Sequence, residues 1–221
     1  MKVLVACEES QAVCIAFRKV GHEAYSCDIQ ECSGGHPEWH IIKDVLSLID
    51  GNKPFITMDG ELHSIIGTWD MLIAFPPCTY LTNAGAVRLR IKGEINQERM
   101  AKAVEAKAFF MRFLNADCPK ICVENPTPGK IHQLPPYTQA VHPYMFGHPY
   151  TKRTCLWLKN LPPLSRQILS QKGLHPMSTV GVKTLTGIIG DFKAGRSVTL
   201  KSAPRPFPAS QKQWPNNGVV K

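Results

Sequence analysis

Short apolar runs alternate with segments of helical periodicity along this 221-residue chain. Residues 2–7 form an apolar, β-branched run. Residues 10–20 then carry apolar side chains at helical spacing, with Ser10 as the expected N-cap and Gly21 as the stop. Repeated alternation of strand and helix is typical of a mostly parallel sheet with helices on both faces. We therefore predict an α/β fold with a Rossmann-like, doubly wound sheet.

The later segments continue this alternation. Strands are predicted at residues 23–29, 40–45, 70–75, 120–123 and 153–159, and the strongest helix is predicted at residues 96–115. Asp59-Gly60 predicts a type I′ turn in an inserted hairpin. Because doubly wound sheets bind ligands beyond the carboxyl ends of their strands, reactive residues at those ends are the candidates for function.

The composition narrows the classes of function. No run approaches the roughly 18 apolar residues of a membrane span, and residues 3–7 are too short for a signal-peptide core, so a cytoplasmic protein is expected. The eight cysteines are interpreted as buried reduced thiols, and their spacing among scattered histidines predicts no metal site. The net charge of +9 favours a polyanionic partner, although solvated lysines would give the same count.

Two proline-containing tripeptides follow apolar runs. Pro76-Pro77-Cys78 ends one predicted strand, and Glu124-Asn125-Pro126 ends a later one. Since both runs are predicted to be parallel strands, the Cys78 and Glu124 side chains are expected at the same edge of the sheet. A thiol and a carboxyl group in that arrangement are suited to attack on a pyrimidine base.

These motifs, within residues 70–78 and 123–126, resemble the catalytic motifs of the DNA cytosine carbon-5 methyltransferases, and in particular those of the short bacteriophage members. The similarity covers residues 1–160, which it implies to be the catalytic domain, and leaves residues 161–221 as a reduced recognition insert with an irregular basic tail. It implies the fold of S-adenosylmethionine-dependent methyltransferases, S-adenosylmethionine as cofactor, and duplex DNA with a flipped-out cytosine as partner. A monomer in the cytoplasm of a bacterial host is expected.

The resemblance assigns chemistry to Cys78 and Glu124. Carbon 5 of cytosine is a poor nucleophile until a thiolate adds to carbon 6, and Cys78 would supply that thiolate, whose pKa an electropositive setting would lower. Glu124 would donate a proton or hydrogen bond to ring nitrogen 3 as negative charge develops. Asn125 and Pro126 would hold the turn at Glu124. The residues expected against the substrate are Pro77, Thr79, Asn83, Asn125 and Pro126.

A third catalytic position is assigned to Arg153. It resembles the second arginine of the family's Gln-x-Arg-x-Arg motif, which braces the base and the thiol, whereas Thr151 occupies the place of the first. A surface cation is the alternative reading of Arg153. Residues 79–99 are polar, basic and glycine-containing, as expected of a loop that closes over a flipped base, and an ordinary solvated loop is the alternative there.

Cofactor positions follow from the same resemblance. Asp28 matches the acid that binds the ribose hydroxyls and Asp44 the acid that contacts adenine, although an acid after a strand is also a common turn or cap. The first loop, residues 6–11, departs from the family because it lacks glycine, and Glu8 or Glu9 is expected to face the amino group of the donor. The remaining residues expected at the cofactor are Cys7, Glu8 and Pro76.

The C-terminal region departs from the resemblance. Only residues 161–201 offer room for an insert that reads a target sequence. Residues 207–218 are polar where short relatives have a closing helix, and we hypothesise a single-base deletion near Ala209. The alternatives to DNA methylation are methylation of transfer RNA, a catalytically impaired nucleic-acid-binding remnant, and a doubly wound domain of unrelated function.

Overall fold

The computed structural model describes residues 1–91, 93–146 and 150–165. The predictions for residues 166–221, which include most of the recognition insert, the basic tail and the deletion hypothesis, lie outside the described residues. Within the described part, no helix is long and apolar enough to cross a membrane, and no group of three or more His, Cys, Asp or Glu side chains is arranged to hold a metal ion.

The elements follow the predicted alternation of strand and helix. The strands are β1 (Lys2–Ala6), β2 (Glu23–Asp28), β3 (His40–Ile42), β4 (Pro54–Ile56), β5 (Leu62–Ser64), β6 (Met71–Ala74), β7 (Arg90–Ile91), β8 (Glu94–Ile95), β9 (Ile121–Pro126), β10 (Gln139–Val141) and β11 (Thr154–Lys159). The α-helices are α1 (Ala12–Lys19), α2 (Asn83–Ala86) and α3 (Gln97–Leu114). Short 3-10 helices span Pro37–Trp39, Val45–Ser47, Val87–Leu89, Lys130–His132 and Pro143–Phe146.

Seven strands form one sheet in the order β10-β11-β9-β6-β1-β2-β3. β1, β2, β3, β6 and β9 are mutually parallel, and β11 lies antiparallel between β9 and β10. From β1 the chain moves outward through β2 to β3 and then crosses to β6 on the other side of β1. The carboxyl ends of β1 and β6 therefore form the topological switch point at which such sheets bind ligands. The predicted mostly parallel, doubly wound α/β sheet is confirmed.

A different helix covers each face of the central strands. On one face, Val3 and Val5 of β1 pack in the same buried cluster as Phe17 of α1. On the other face, Leu4 of β1 packs with Phe110 of α3. Each such side chain contributes about 1.5–3 kcal/mol when fully buried, so these two apolar layers hold the helices against the sheet.

The start of α1 differs from the prediction. Ser10 is not the N-cap, because Gln11 takes that position with a left-handed φ of 58° and no capping bond from its side chain. The carboxyl group of Glu8 instead accepts the backbone N–H groups of Val13 and Cys14, at 2.6 and 3.2 Å. A carboxylate is a stronger acceptor than a hydroxyl group, and it is favoured at the positive end of a helix.

The predicted inserted hairpin forms, because β4 and β5 pair antiparallel. Its predicted type I′ turn is wrong, since Gly60 has a positive φ of 95° but Asp59 does not have a positive φ. The Thr57 hydroxyl donates to Asp59 Oδ1 at 2.7 Å, and the Thr57 N–H donates to Glu61 O at 3.0 Å. The Asp59 side chain therefore supports a longer connection in place of two left-handed residues.

The second half of the sheet extends beyond the prediction. β9 runs to Pro126 rather than ending at Val123, because β11 pairs with it as far as Thr154 opposite Pro126. The sequence pattern did not predict β10. Residues 79–99, predicted as a loop, contain α2 and the antiparallel hairpin of β7 and β8.

Candidate active site

Cys78 lies in the turn that follows β6. Pro76 is buried and Pro77 is exposed, and because proline has no N–H group the two residues end the strand. The N–H groups of Leu81 and Thr82 then both donate to the carbonyl oxygen of Cys78 at 3.1 Å. This turn leaves the Cys78 thiol partly exposed beyond the carboxyl end of the sheet.

Glu124 lies near the carboxyl end of β9, the strand beside β6. The two strands are parallel with Ala74 opposite Val123, so the chain segments that carry Cys78 and Glu124 meet at one edge of the sheet. The two side chains are close enough for the charge of Glu124 to raise the pKa of the Cys78 thiol. The structure therefore brings these two predicted residues together.

The surroundings of Cys78 raise the pKa of its thiol, whereas the resemblance implies a setting that lowers it. Burial is the largest cause and the charge of Glu124 adds to it, while the charge of Lys152 acts in the opposite direction. A thiol with a raised pKa stays protonated at neutral pH, so Cys78 is a weak nucleophile while Glu124 is ionised.

Backbone hydrogen bonds join the loops that follow β6 and β9. The Asn83 N–H donates to Thr127 O and the Gly129 N–H donates to Leu81 O, both at 2.8 Å. A Cβ atom at Gly129 would lie 2.9 Å from the Cβ of Ala86, so glycine permits this close approach. The two loops therefore form one connected unit at the sheet edge.

The predicted substrate residues separate into two groups. Thr79 and Asn83 are exposed in the segment that follows Cys78. Asn125 is fully buried in β9, and neither atom of its side-chain amide has a hydrogen-bond partner in the described part of the chain. Because successive strand residues point to opposite faces, Asn125 points away from the face that carries Glu124. Asn125 and Pro126 thus belong to a strand and not to the predicted turn.

Arg153 is bound to an aromatic ring beside the site. Its Nη2 atom donates to the hydroxyl oxygen of Tyr137 at 2.5 Å, and its guanidinium carbon lies 5.5 Å from the centre of the Tyr137 ring. The cation whose charge acts on Cys78 is Lys152, which precedes Arg153 in the sequence. Sequence reasoning missed Lys152, and the signal that would have found it is the run of two basic residues immediately before β11.

Predicted cofactor residues gather at the carboxyl ends of β1, β2 and β3. The Cys7 N–H donates to Cys27 O at 2.8 Å. Burial raises the pKa of both thiols, and the charges of Asp28 and Asp44 raise them further, so these four side chains are close together. Burial also raises the pKa of Asp28. The structure therefore brings Cys7, Asp28 and Asp44 to one edge.

The donors and acceptors at this edge fit the nucleoside end of S-adenosylmethionine. Asp28 Oδ1 accepts the N–H of Gln30 and Asp44 Oδ1 accepts the N–H of Leu46, each at 3.0 Å, so both acids also serve as caps. A carboxylate has about four acceptor positions, which leaves capacity for ribose hydroxyl and adenine amino groups. The hydroxyl of Ser10, in the loop after β1, is buried without a hydrogen-bond partner in the described residues.

Glu8 differs from its predicted role at the donor. Its side chain is only 2% exposed and its carboxyl group is already engaged by the first turn of α1. Burial raises the pKa of Glu8 to about 7, and the two backbone N–H groups oppose that rise. Glu9 accepts a hydrogen bond from the hydroxyl of Ser33. The first loop therefore uses its acids to stabilise itself.

Comparisons with known proteins give similarity at the level of structure. No protein-family model and no curated protein matches the sequence. Among solved structures, the chain is similar to a protein described as a DNA modification methyltransferase encoded within an E. coli prophage, with 11% identity over 75% of this chain and 53% of that chain and a TM-score of 0.39. It is also similar to the Entamoeba histolytica methyltransferase EhMeth, with 15% identity over 77% of this chain and 57% of that chain and a TM-score of 0.45.

The chain thus spans little more than half the length of either solved structure. The assignment of the α/β doubly wound fold rests on the strand order and strand directions of the sheet.

Proposed function

We propose that this protein transfers a methyl group from S-adenosylmethionine to carbon 5 of cytosine in DNA, through a transient bond between the cytosine ring and Cys78. The observation that carries the proposal is the meeting of Cys78 and Glu124 at one edge of the sheet, near enough for the charge of one to act on the other. Residues 1–160 would form the catalytic domain, and residues 161–221 would contribute to recognition of DNA.

Cys78 acts first, as a thiolate. Its sulfur forms a bond to carbon 6 of the cytosine, and the ring electrons move so that carbon 5 becomes an enamine carbon. Carbon 5 would then form a bond to the methyl group that S-adenosylmethionine supplies, and the bond between that methyl group and the sulfonium sulfur would break. A base then removes the proton from carbon 5, and the bond between the Cys78 sulfur and carbon 6 breaks. This step restores the ring double bond and the thiolate.

Glu124 acts at ring nitrogen 3, where a protonated carboxyl group donates to the ring as negative charge develops. A protonated Glu124 also ceases to raise the pKa of Cys78, so the same protonation favours the thiolate. Protonation of one group therefore affects protonation of the other. Proton uptake by Glu124 therefore prepares both members of the pair for the reaction.

Asp28 and Asp44 would hold S-adenosylmethionine through its ribose hydroxyls and its adenine amino group. When bound, this cofactor supplies an electrophilic methyl group. The Phe75 N–H donates to Ala6 O at 3.0 Å, which joins the ends of β1 and β6 where the loops to the cofactor residues and to Cys78 begin. This junction supports a short path between cofactor and substrate.

A nucleic acid is the substrate class that suits the charge of +9. Carbon 6 of a paired base is inaccessible inside a duplex, so the proposal includes flipping of the cytosine out of the stack. The charge suits RNA equally well, and the choice of DNA depends on the resemblance of the two motifs.

Trapping on DNA that contains 5-fluorocytosine tests the proposal, because fluorine cannot leave carbon 5 as a proton does and the adduct accumulates. The native chain, a Cys78→Ser variant and a Cys32→Ser variant are incubated with this DNA and S-adenosylmethionine. Cys32 is a matched control because its thiol is also partly exposed and lies 3.7 Å from the sulfur of Met58, in the inserted hairpin. We expect an adduct with the native chain and with Cys32→Ser only.

Equal failure of all three chains would contradict the proposal and favour a binding remnant. Transfer of labelled methyl groups to transfer RNA and not to DNA would retain the chemistry and replace the substrate.

A further inference from the structure

A groove opens beside the candidate active site. One wall is residues 83–90, which follow Cys78, and the other is residues 127–131, which follow Glu124. Its volume is about 450 Å³, within the roughly 300–1,000 Å³ of small-molecule sites, so it accommodates a ligand the size of one nucleotide.

The walls are fixed relative to the two reactive side chains. They are the same segments that the backbone hydrogen bonds from Asn83 to Thr127 O and from Gly129 to Leu81 O join together. The bridge between Thr82 and Pro128 adds a third connection. The groove is therefore a preformed extension of the edge that carries Cys78 and Glu124.

The floor of the groove is apolar and open to solvent. Ala86, Val87 and Leu89 contribute from one wall, and Pro128 and Ile131 from the other. Val87 is 78% exposed and Ile131 is 43% exposed, so each wall presents one large aliphatic side chain to solvent. A sugar or base that packs on this floor would remove its apolar surface from water.

Cations border this apolar floor. Arg90 and Lys130 line the groove on opposite walls, and the exposed Arg88 is next to it in sequence. The ion pairs found between described residues are Lys102 with Glu98 and His36 with Glu38, and no described carboxylate forms an ion pair with Arg88, Arg90 or Lys130.

One hydrogen-bond donor of Arg90 is used within the hairpin of β7 and β8. The Nη1 atom of Arg90 donates to Gly93 O at 2.9 Å. Glu94, the acidic residue of this hairpin, lies opposite Ile91 and not opposite Arg90. A guanidinium group has five N–H donors, so most of the donors of Arg90 remain for an external anion.

We propose that this groove seats the nucleic-acid strand beside the reacting base, with backbone phosphates on Arg90 and Lys130 and the neighbouring sugar and base on the apolar floor. The inference rests on the proposed function and adds where the strand lies. A nucleic acid matches the site because its phosphates are regularly spaced on both sides of each sugar and base, as the cations are on both sides of the floor. An acidic protein segment is the competing occupant.

The test is the salt dependence of DNA binding by the full chain, measured by fluorescence anisotropy with a labelled duplex oligonucleotide. The variant Arg90→Gln/Lys130→Gln is compared with Lys19→Gln/Lys53→Gln, which removes the same charge at exposed positions outside the groove. Each phosphate contact that is lost reduces the slope of log affinity against log salt by about 1. We expect a slope shallower by about 2 and an affinity at least tenfold weaker for the groove variant than for its control.

Equal slopes for the two variants, with equal thermal unfolding curves, would overturn the inference. Unchanged DNA binding together with lost binding of a polyglutamate peptide would assign the groove to an acidic protein. Failure of the proposed function would give a different result: the native chain would form no Cys78 adduct with DNA that contains 5-fluorocytosine. A groove variant that still forms the adduct at saturating DNA, with the shallower slope, supports both proposals.

Discussion

The carboxyl group of Glu124 and the thiol of Cys78 interact through their charges across the gap between two neighbouring parallel strands. An ionised Glu124 raises the pKa of Cys78, and by reciprocity a Cys78 thiolate favours the protonated form of Glu124. The pair therefore has two forms with one shared proton, one with a thiol and a carboxylate and one with a thiolate and a carboxyl group. Only the second form suits attack on a pyrimidine with donation at nitrogen 3.

Replacement of Glu124 by Gln should separate these two effects. Loss of the negative charge lowers the pKa of Cys78, so alkylation of this thiol by iodoacetamide at pH 7 becomes faster. Loss of the proton donor slows methyl transfer by about 10²–10⁴-fold. The rate of alkylation is measured across pH by mass spectrometry of the peptide that contains Cys78. A Glu23→Gln variant is the control, and an unchanged pH profile for Glu124→Gln would show that the pair does not interact.

Lys152 and Arg153 should differ in their effect on the thiol. Lys152→Met removes the cation that lowers the pKa of Cys78, and alkylation at pH 7 should slow. The effect should not exceed about fivefold, because exposed charge pairs contribute at most about 1 kcal/mol. Arg153→Met is the matched control, since its guanidinium group is bound to Tyr137. The prediction is wrong if Arg153→Met slows alkylation and Lys152→Met does not.

Glu8 should make the protein less stable as the pH rises. Its pKa is about 7 in the folded chain against 4.5 for an unperturbed group, so the native state binds more protons than the unfolded state in this window. Stability from this group is present below about pH 4.5 and is lost as the pH rises through 7. A shift of this size corresponds to about 3 kcal/mol.

A Glu8→Gln variant keeps an acceptor for the first turn of α1 and has no such titration. Its free energy of unfolding, relative to that of the native chain, should increase by up to about 3 kcal/mol between pH 5 and pH 8. Urea unfolding at intervals of one pH unit measures this difference. Parallel curves for the two chains would contradict the prediction.

Asp28 and Asp44 should control binding of S-adenosylmethionine. Asn at either position keeps the Oδ1 acceptor used by the N–H of Gln30 or Leu46 and removes the negative charge. A hydrogen bond to a charged group contributes about 1.5–3 kcal/mol, so each variant should bind the cofactor about 10- to 100-fold more weakly. Calorimetric titration measures the affinity, with the exposed Asp50→Asn as control. Equal affinities for all four chains would remove both residues from the proposed cofactor site.

Local sequence patterns were enough to predict the α/β sheet and the edge at which Cys78 and Glu124 meet. Apolar periodicity is a local property, and the prolines after β6 end that strand wherever the chain folds. The sequence also indicated the inserted hairpin, but its turn depended on a side-chain hydrogen bond between Thr57 and Asp59 that no dipeptide pattern records.

Which charges act at the site depends on how the chain folds. Lys152 acts on Cys78, and Arg153 is bound to Tyr137, because β11 pairs antiparallel with β9 and carries both residues to the sheet edge. Glu8 caps α1 because the fold buries its carboxyl group beside the backbone N–H groups of Val13 and Cys14. Such effects depend on neighbours that are distant in sequence or on the three-dimensional path of a loop, and the distances that govern charge and burial exist only once the chain has folded.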